Sequence, residues 1–146
     1  MTKIAVLVGT TLGNAEYVSD ELITHIAQKN HQTEQHLQPN LDEIQADEYW
    51  ILVCSTHGAG DLPDNIQPLF EQIRTQKPDL SKINFAVCAI GDSSYDTFCK
   101  GPEVLIELFQ QQGATQFVDK IQIDIQKSSL PEDLAIEWLQ QWIENI

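Results

Sequence analysis

Between an apolar run at residues 4–8 and a helical pattern that begins near Ala15 lies the stretch Val8-Gly9-Thr10-Thr11-Leu12-Gly13-Asn14-Ala15-Glu16. Small and hydroxyl-bearing residues at a strand-to-helix turn make a ready anion site. The first amides of the helix have no partner within it, the helix dipole favours negative charge, and Gly9 and Gly13 let the backbone come close. The turn itself has no Lys or Arg. It lacks the Gly-Lys-Ser/Thr ending of a nucleoside triphosphatase loop, and the spacing G-x-G-x-x-G is also missing. Its chemistry is that of a phosphate held by neutral donors, or else of a tight capped turn with no ligand.

Two further loops have the composition of binding segments. The first is Ser55-Thr56-His57-Gly58-Ala59-Gly60-Asp61-Leu62-Pro63-Asp64-Asn65, and the second is Gly91-Asp92-Ser93-Ser94-Tyr95-Asp96-Thr97-Phe98-Cys99. Their small residues let backbone amides and carbonyls approach a ligand. Each also offers a ring, His57 or Tyr95, able to lie against a flat heterocycle. A phosphate turn beside two such loops describes a site for a phosphorylated planar cofactor.

The elements that must position these loops alternate along the chain. Apolar runs at 4–8, 49–54 and 83–90 read as interior strands buried on both faces. Residues 31–37 are polar with weak alternation and read as an edge strand, and 117–125 supplies a last strand bent near Asp119. Helical spacing covers 15–29 (Val18, Leu22, Ile26, Ala27), 67–76 (Leu69, Phe70, Ile73), 102–112 (Val104, Leu105, Leu108, Phe109) and 131–143 (Leu134, Trp138, Leu139, Trp142), with a short helix within 41–47. Gly113 stops the third of these, and Pro131 suits the first turn of the last. Five strands alternating with helices predict an α/β fold: a doubly wound parallel sheet of order 2-1-3-4-5 with helices on both faces. Ligands in such a sheet bind beyond the carboxyl ends of the strands, where the winding reverses. That rule gathers all three loops into one site.

Composition narrows the partners. The 146 residues suit a single domain across 1–146, and a hydrophobic fraction of 42% is that of a globular protein. A net charge of −14 argues against nucleic acid or anionic lipid and suits docking of a basic protein. No apolar run is long enough to span a membrane and Met1-Thr2-Lys3 leads straight into a strand, so a cytoplasmic location is expected. Cys54, Cys88 and Cys99 show neither C-x-x-C pairing nor metal-ligand spacing, and no metal is expected. Cys54 and Cys88 sit in apolar runs as small hydrophobes, whereas Cys99 falls in a loop.

With these three loops in this order, the chain resembles the flavodoxins and the flavodoxin-like domains of diflavin reductases. Ser55-Thr56-His57-Gly58-Ala59-Gly60-Asp61 and Gly91-Asp92-Ser93-Ser94-Tyr95 are close to the diflavin-reductase forms, and Thr11-Leu12-Gly13-Asn14-Ala15-Glu16-Tyr17 with the chain length is similar to the short bacterial MioC group. The resemblance implies one non-covalent FMN and an electron carrier with no catalytic residue. It implies that Thr10, Thr11, Leu12, Gly13, Asn14 and Ala15 surround the phosphate. Ser55, Thr56, His57, Gly58, Ala59, Gly60 and Asp61 would form the inner wall of the ring site; Gly91, Asp92, Tyr95, Phe98 and Cys99 the outer, with Tyr95 stacking. The partners implied are a basic reductase, such as a flavodoxin reductase, and an acceptor protein. The family's phosphate pattern T-x-T-G-x-T is broken here, since Leu12 and Ala15 replace two hydroxyl positions. Weaker FMN retention is the expectation.

Other classes remain open. A flavin-dependent quinone or nitro reductase uses the same fold, and a regulatory binding module could hold FMN incidentally. A phospho-receiver domain needs acidic residues where Gly9-Thr10 and Cys54-Ser55 stand, so that class is excluded.

Overall fold

The interior strands form where β-branched and aliphatic residues run unbroken. In the computed structural model, which describes residues 3–10, 13–56, 60–92, 94, 99–127 and 130–146, these are β1 (Lys3–Gly9), β3 (Tyr49–Ser55) and β4 (Asn84–Gly91). The edge strand β2 (Gln32–His36) is polar because one of its sides meets water. All pairings are parallel, in the order β2-β1-β3-β4-β5. The fold class read from the sequence is the one observed.

Side chains alternate across this sheet, and the alternation divides the core in two. Ala5, Leu7, Trp50, Leu52, Cys54, Phe85, Val87 and Ala89 point to one face. There they meet α2 (Leu41–Ile44), α3 (Gln67–Gln76) and α4 (Gly101–Gln111). Ile4, Val6, Val8, Ile51, Val53, Ala86, Cys88 and Ile90 point to the other, against α1 (Asn14–Gln28) and α5 (Pro131–Trp142). Edge-to-face aromatic pairs fill both layers: Trp50 and Phe85 each meet Phe109, and Trp138 meets Trp142.

Two details differ from the sequence reading. The last strand is two short pieces, β5 (Thr115–Gln116) and β6 (Ile121–Asp124), each pairing separately with β4. The chain leaves the sheet between them because Trp138 Nε1 donates to the Asp119 carbonyl at 3.0 Å while Phe117 packs edge-on against Tyr49 and Trp142. Among the described residues the sheet therefore has six strands rather than five. The short helix expected within 41–47 is present as a single turn, Leu41–Ile44, capped by Asn40, whose side chain accepts from the Asp42 amide at 3.0 Å. On the long helices, Ala27, Val104 and Leu134 lie on exposed arcs, while Ile106 and Ala135 are buried in their stead. Among the described residues, no helix is long and apolar enough to cross a membrane.

Candidate functional site

The turn after β1 is built around a glycine in the left-handed region. Gly13 has φ 91° and serves as the N-cap of α1, a residue with no side chain of its own to cap the helix. A Cβ there would meet nothing within 4 Å, so the demand for glycine is conformational rather than steric. The Gly13 amide donates to Thr10 Oγ1 at 2.9 Å, and the Tyr17 amide donates to the Gly13 carbonyl at 2.9 Å. Thr10 Oγ1 thereby accepts from the turn's glycine, and the N-cap glycine brings no side chain to the first amides of the helix, which suits an anion site.

Asn65 fixes that turn in space. Its Nδ2 donates to the carbonyls of Val8 (2.6 Å) and Leu37 (2.7 Å), and its Oδ1 accepts from the Thr10 amide (2.9 Å). One side-chain amide thus ties together the carboxyl ends of β1 and β2 and the loop that leads into α3. The sequence reading placed Asn65 in its loop but gave it no role. A lone loop Asn carries no pattern that separates it from an ordinary turn former; only the crossing of three segments reveals it.

The loops after β3 and β4 meet at the start of α4. The Gly101 amide donates to Thr56 Oγ1 at 3.0 Å. A Cβ on Gly101 would lie 2.8 Å from the Asp61 carbonyl oxygen and 3.1 Å from Thr56 Cα, so only glycine admits this approach. Gly60 has φ 103°, a conformation that favours glycine. Ser55 Oγ donates to the Gly9 carbonyl at 3.3 Å, joining the first and second loops. At the third, Asp92 Oδ1 accepts from the Ser94 amide (2.9 Å) and Ser94 Oγ (2.6 Å), and Asp92 Oδ2 accepts from Gln126 Nε2 (2.9 Å). The Ser94 hydroxyl, then the Gln126 amide, hold the Asp92 carboxyl below its ordinary pKa.

Of the residues expected at the site, Thr10, Gly13, Asn14, Ser55, Thr56, Gly60, Asp61, Gly91 and Asp92 fall at the carboxyl ends of β1, β3 and β4 or in the loops and helix starts beyond them. Two others turn inward. Ala15 is fully buried on the α1–α5 side of the core, so it offers a ligand only its backbone. Cys99 is buried on the other side and has φ 54°; burial pushes its thiol up to about 12, so it is protonated at neutral pH. The loop cysteine singled out in the sequence is therefore a core side chain, like Cys54 and Cys88. Thr11, Leu12, His57, Gly58, Ala59, Tyr95 and Phe98 lie outside the described residues.

Comparison with known proteins decides the family. The flavodoxin family model matches residues 6–138. The chain belongs to the flavodoxin family. It is similar to protein MioC of Escherichia coli O157:H7, with 41% identity over 98% of this chain and 97% of that one. Flavodoxin YqcA of Escherichia coli strain K12 is 34% identical, with 97% of each chain covered. Among solved structures, a cysteine-to-alanine mutant of flavodoxin from Pseudomonas aeruginosa superposes with a TM-score of 0.91 at 34% identity, covering 98% of this chain and 97% of that one. As a flavodoxin, the protein is an FMN-binding electron-transfer protein, an electron carrier rather than an enzyme. The described residues fit that cofactor. The N-cap of α1 is a glycine with no side chain over the first amides, its turn carries no cation, and the loops after β3 and β4 approach closely at Gly101.

Proposed function

We propose that residues 1–146 form one domain that holds a single FMN without covalent attachment and shuttles electrons between a basic reductase and an acceptor protein in the cytoplasm. The observation that carries this reading is the convergence of three glycine-bearing loops at the carboxyl ends of neighbouring strands. Bound FMN supplies the redox chemistry, taking up and releasing electrons one at a time. The chain's own task is to bind, orient and shield.

Thr10, Thr11, Leu12, Gly13, Asn14 and Ala15 hold the phosphate with backbone amides and neutral side chains at the positive end of α1. Because neither Leu12 nor Ala15 carries a hydroxyl, two side-chain donors of the family pattern are missing. Each such bond to phosphate contributes on the order of 1–3 kcal/mol, so FMN is held more weakly than in flavodoxins that keep the full pattern. Ser55, Thr56, His57, Gly58, Ala59, Gly60 and Asp61 form one wall for the ring, and Gly91, Asp92, Tyr95 and Phe98 the other, while Cys99 offers only its backbone because its side chain lies in the core. Asp61 and Asp92 place negative charge at the ring loops, which disfavours added negative charge on the ring. The net charge of −14 favours docking of a basic partner, with an association that weakens as salt rises.

The test is direct. Excess FMN is added to the purified protein, the mixture is desalted, and visible spectra are recorded during stepwise anaerobic reduction. A retained flavin spectrum that reduces in two separated one-electron steps is the expected result. Retained flavin that reduces only in a single two-electron step would move the assignment to a quinone or nitro reductase. No retained flavin, with FMN fluorescence unchanged on titration, would overturn the cofactor assignment.

A further inference from the structure

Beside the loop region, at the end of the edge strand, three side chains converge that flavin binding does not use. Glu34 and His36 stand two apart on β2, and Glu43 lies on α2. One ligand atom from each of the three falls within 4.8 Å of the others. The His36 side chain is only 5% exposed. Its Nδ1 lies 3.9 Å from Glu43 Oε2, too far for a hydrogen bond, and its Nε2 is buried with no hydrogen-bond partner among the described residues. Nδ1 is the ring nitrogen that faces the carboxylates, and it makes no hydrogen bond among the described residues; held on a buried ring beside two carboxylates, it is free to serve as a metal ligand.

We propose that Glu34, His36 and Glu43 form a binding site for a first-row divalent metal ion of the zinc class. The donor set decides the class. Magnesium and calcium take oxygen ligands, whereas an imidazole nitrogen with carboxylate oxygens suits zinc and its neighbours. Metal–ligand bonds of about 2.0–2.1 Å in a tetrahedral site place ligand atoms roughly 3.3 Å apart, so the present spacing has to contract. The glutamates can supply that movement: their side chains are 52% and 63% exposed, while the buried imidazole stays fixed as the anchor. Lys3 Nζ now sits 3.4 Å from Glu34 Oε2, and it also lies 3.6 Å from Asp47 Oδ1. It therefore keeps an anionic neighbour when Glu34 turns to the metal. With three protein ligands, a tetrahedral ion would take water as its fourth.

The experiment uses the full chain, treated with chelator, desalted and titrated with Zn²⁺ by calorimetry, and with Co²⁺ by visible absorption. Expected are one saturable equivalent and a cobalt spectrum of four-coordinate intensity. Glu43→Gln, at an exposed position that leaves the core intact, should weaken binding by at least about tenfold. His36→Gln should weaken it further, and Glu48→Gln, a nearby exposed carboxylate outside the cluster, should leave it unchanged. Because His36 is buried, its variant counts only if its far-ultraviolet circular dichroism matches that of the parent. Binding of several weak equivalents, or equal affinity in Glu43→Gln and the parent, would overturn the site.

Discussion

β1 and β2 pair in parallel, with Leu7 opposite His36, so their carboxyl ends lie side by side. The two strand ends nevertheless differ in kind. After β1 the chain offers backbone amides, a left-handed glycine and a hydroxyl, with no cationic side chain in the turn. At the end of β2 it gathers carboxylates around a buried imidazole, with a lysine at their margin. The first arrangement suits an anion and the second a cation, only a few residues apart in a protein of net charge −14. Net charge describes encounter with a partner over long distances; it does not report what a given strand end can bind. Orphaned backbone groups and buried side chains decide that locally, because there the dielectric is low and no mobile ion can take over.

The sharpest way to break the contrast is to cut what joins the two ends. Asn65 holds Val8, Leu37 and Thr10 together, and each bond contributes on the order of 1 kcal/mol net. Asn65→Ala is expected to lower unfolding free energy by about 2–3 kcal/mol in denaturant titrations. It should also weaken FMN binding at least about tenfold, because the Thr10 turn then has to be ordered on binding. Zinc affinity, if carried by Glu34, His36 and Glu43, should change little. A loss of FMN and zinc binding together, in a folded variant, would show the two ends to be one unit.

The second effect is smaller and confined to the flavin side. A methyl group on Gly101 would press within 2.8 Å of the Asp61 carbonyl oxygen, which belongs to backbone and yields poorly. Gly101→Ala should cost about 1–3 kcal/mol of stability and shift the loop after β3 away from α4. Denaturation midpoints and FMN titration check both consequences. Unchanged values would mean that the two loops are less tightly fitted than their spacing indicates.

The sequence made the central sheet readable because β1, β3 and β4 are buried on both faces, and such strands must be apolar throughout. The helices were legible from their stripes, yet Ala27, Val104 and Leu134 fell on exposed arcs, since a periodicity fixes a face only to within about a residue. The bend near Asp119 was legible, but its becoming a full break between β5 and β6 was not: that depends on Trp138 reaching the Asp119 carbonyl, a contact across 19 positions. The same holds at the site. Thr10, Gly13 and Asp92 announced themselves by type and place, whereas Asn65 matters through hydrogen bonds spanning as many as 57 positions. Ala15 and Cys99 were placed correctly along the chain, but their side chains turn into the core, which loop membership alone does not reveal.

Asp92 limits the idea that the flavin side relies on neutral groups, since it is a charged acceptor that shapes the loop after β4. Its carboxyl is held below the ordinary value, first by the Ser94 hydroxyl and then by Gln126. A carboxyl whose folded pKa is depressed stabilises the fold above its unfolded pKa, near about 3.9, and loses that contribution as pH falls through the lower folded value. The window is therefore acidic, below about pH 4. Asp92→Asn, which cannot ionise, should be less stable than the parent at neutral pH, and the gap should close as the solution is acidified through that window. Denaturation midpoints of the two proteins measured from pH 7 downward give the comparison. A gap that stays constant to the lowest pH at which both remain folded would mean that the Asp92 charge contributes nothing, and that its hydrogen bonds alone hold the loop.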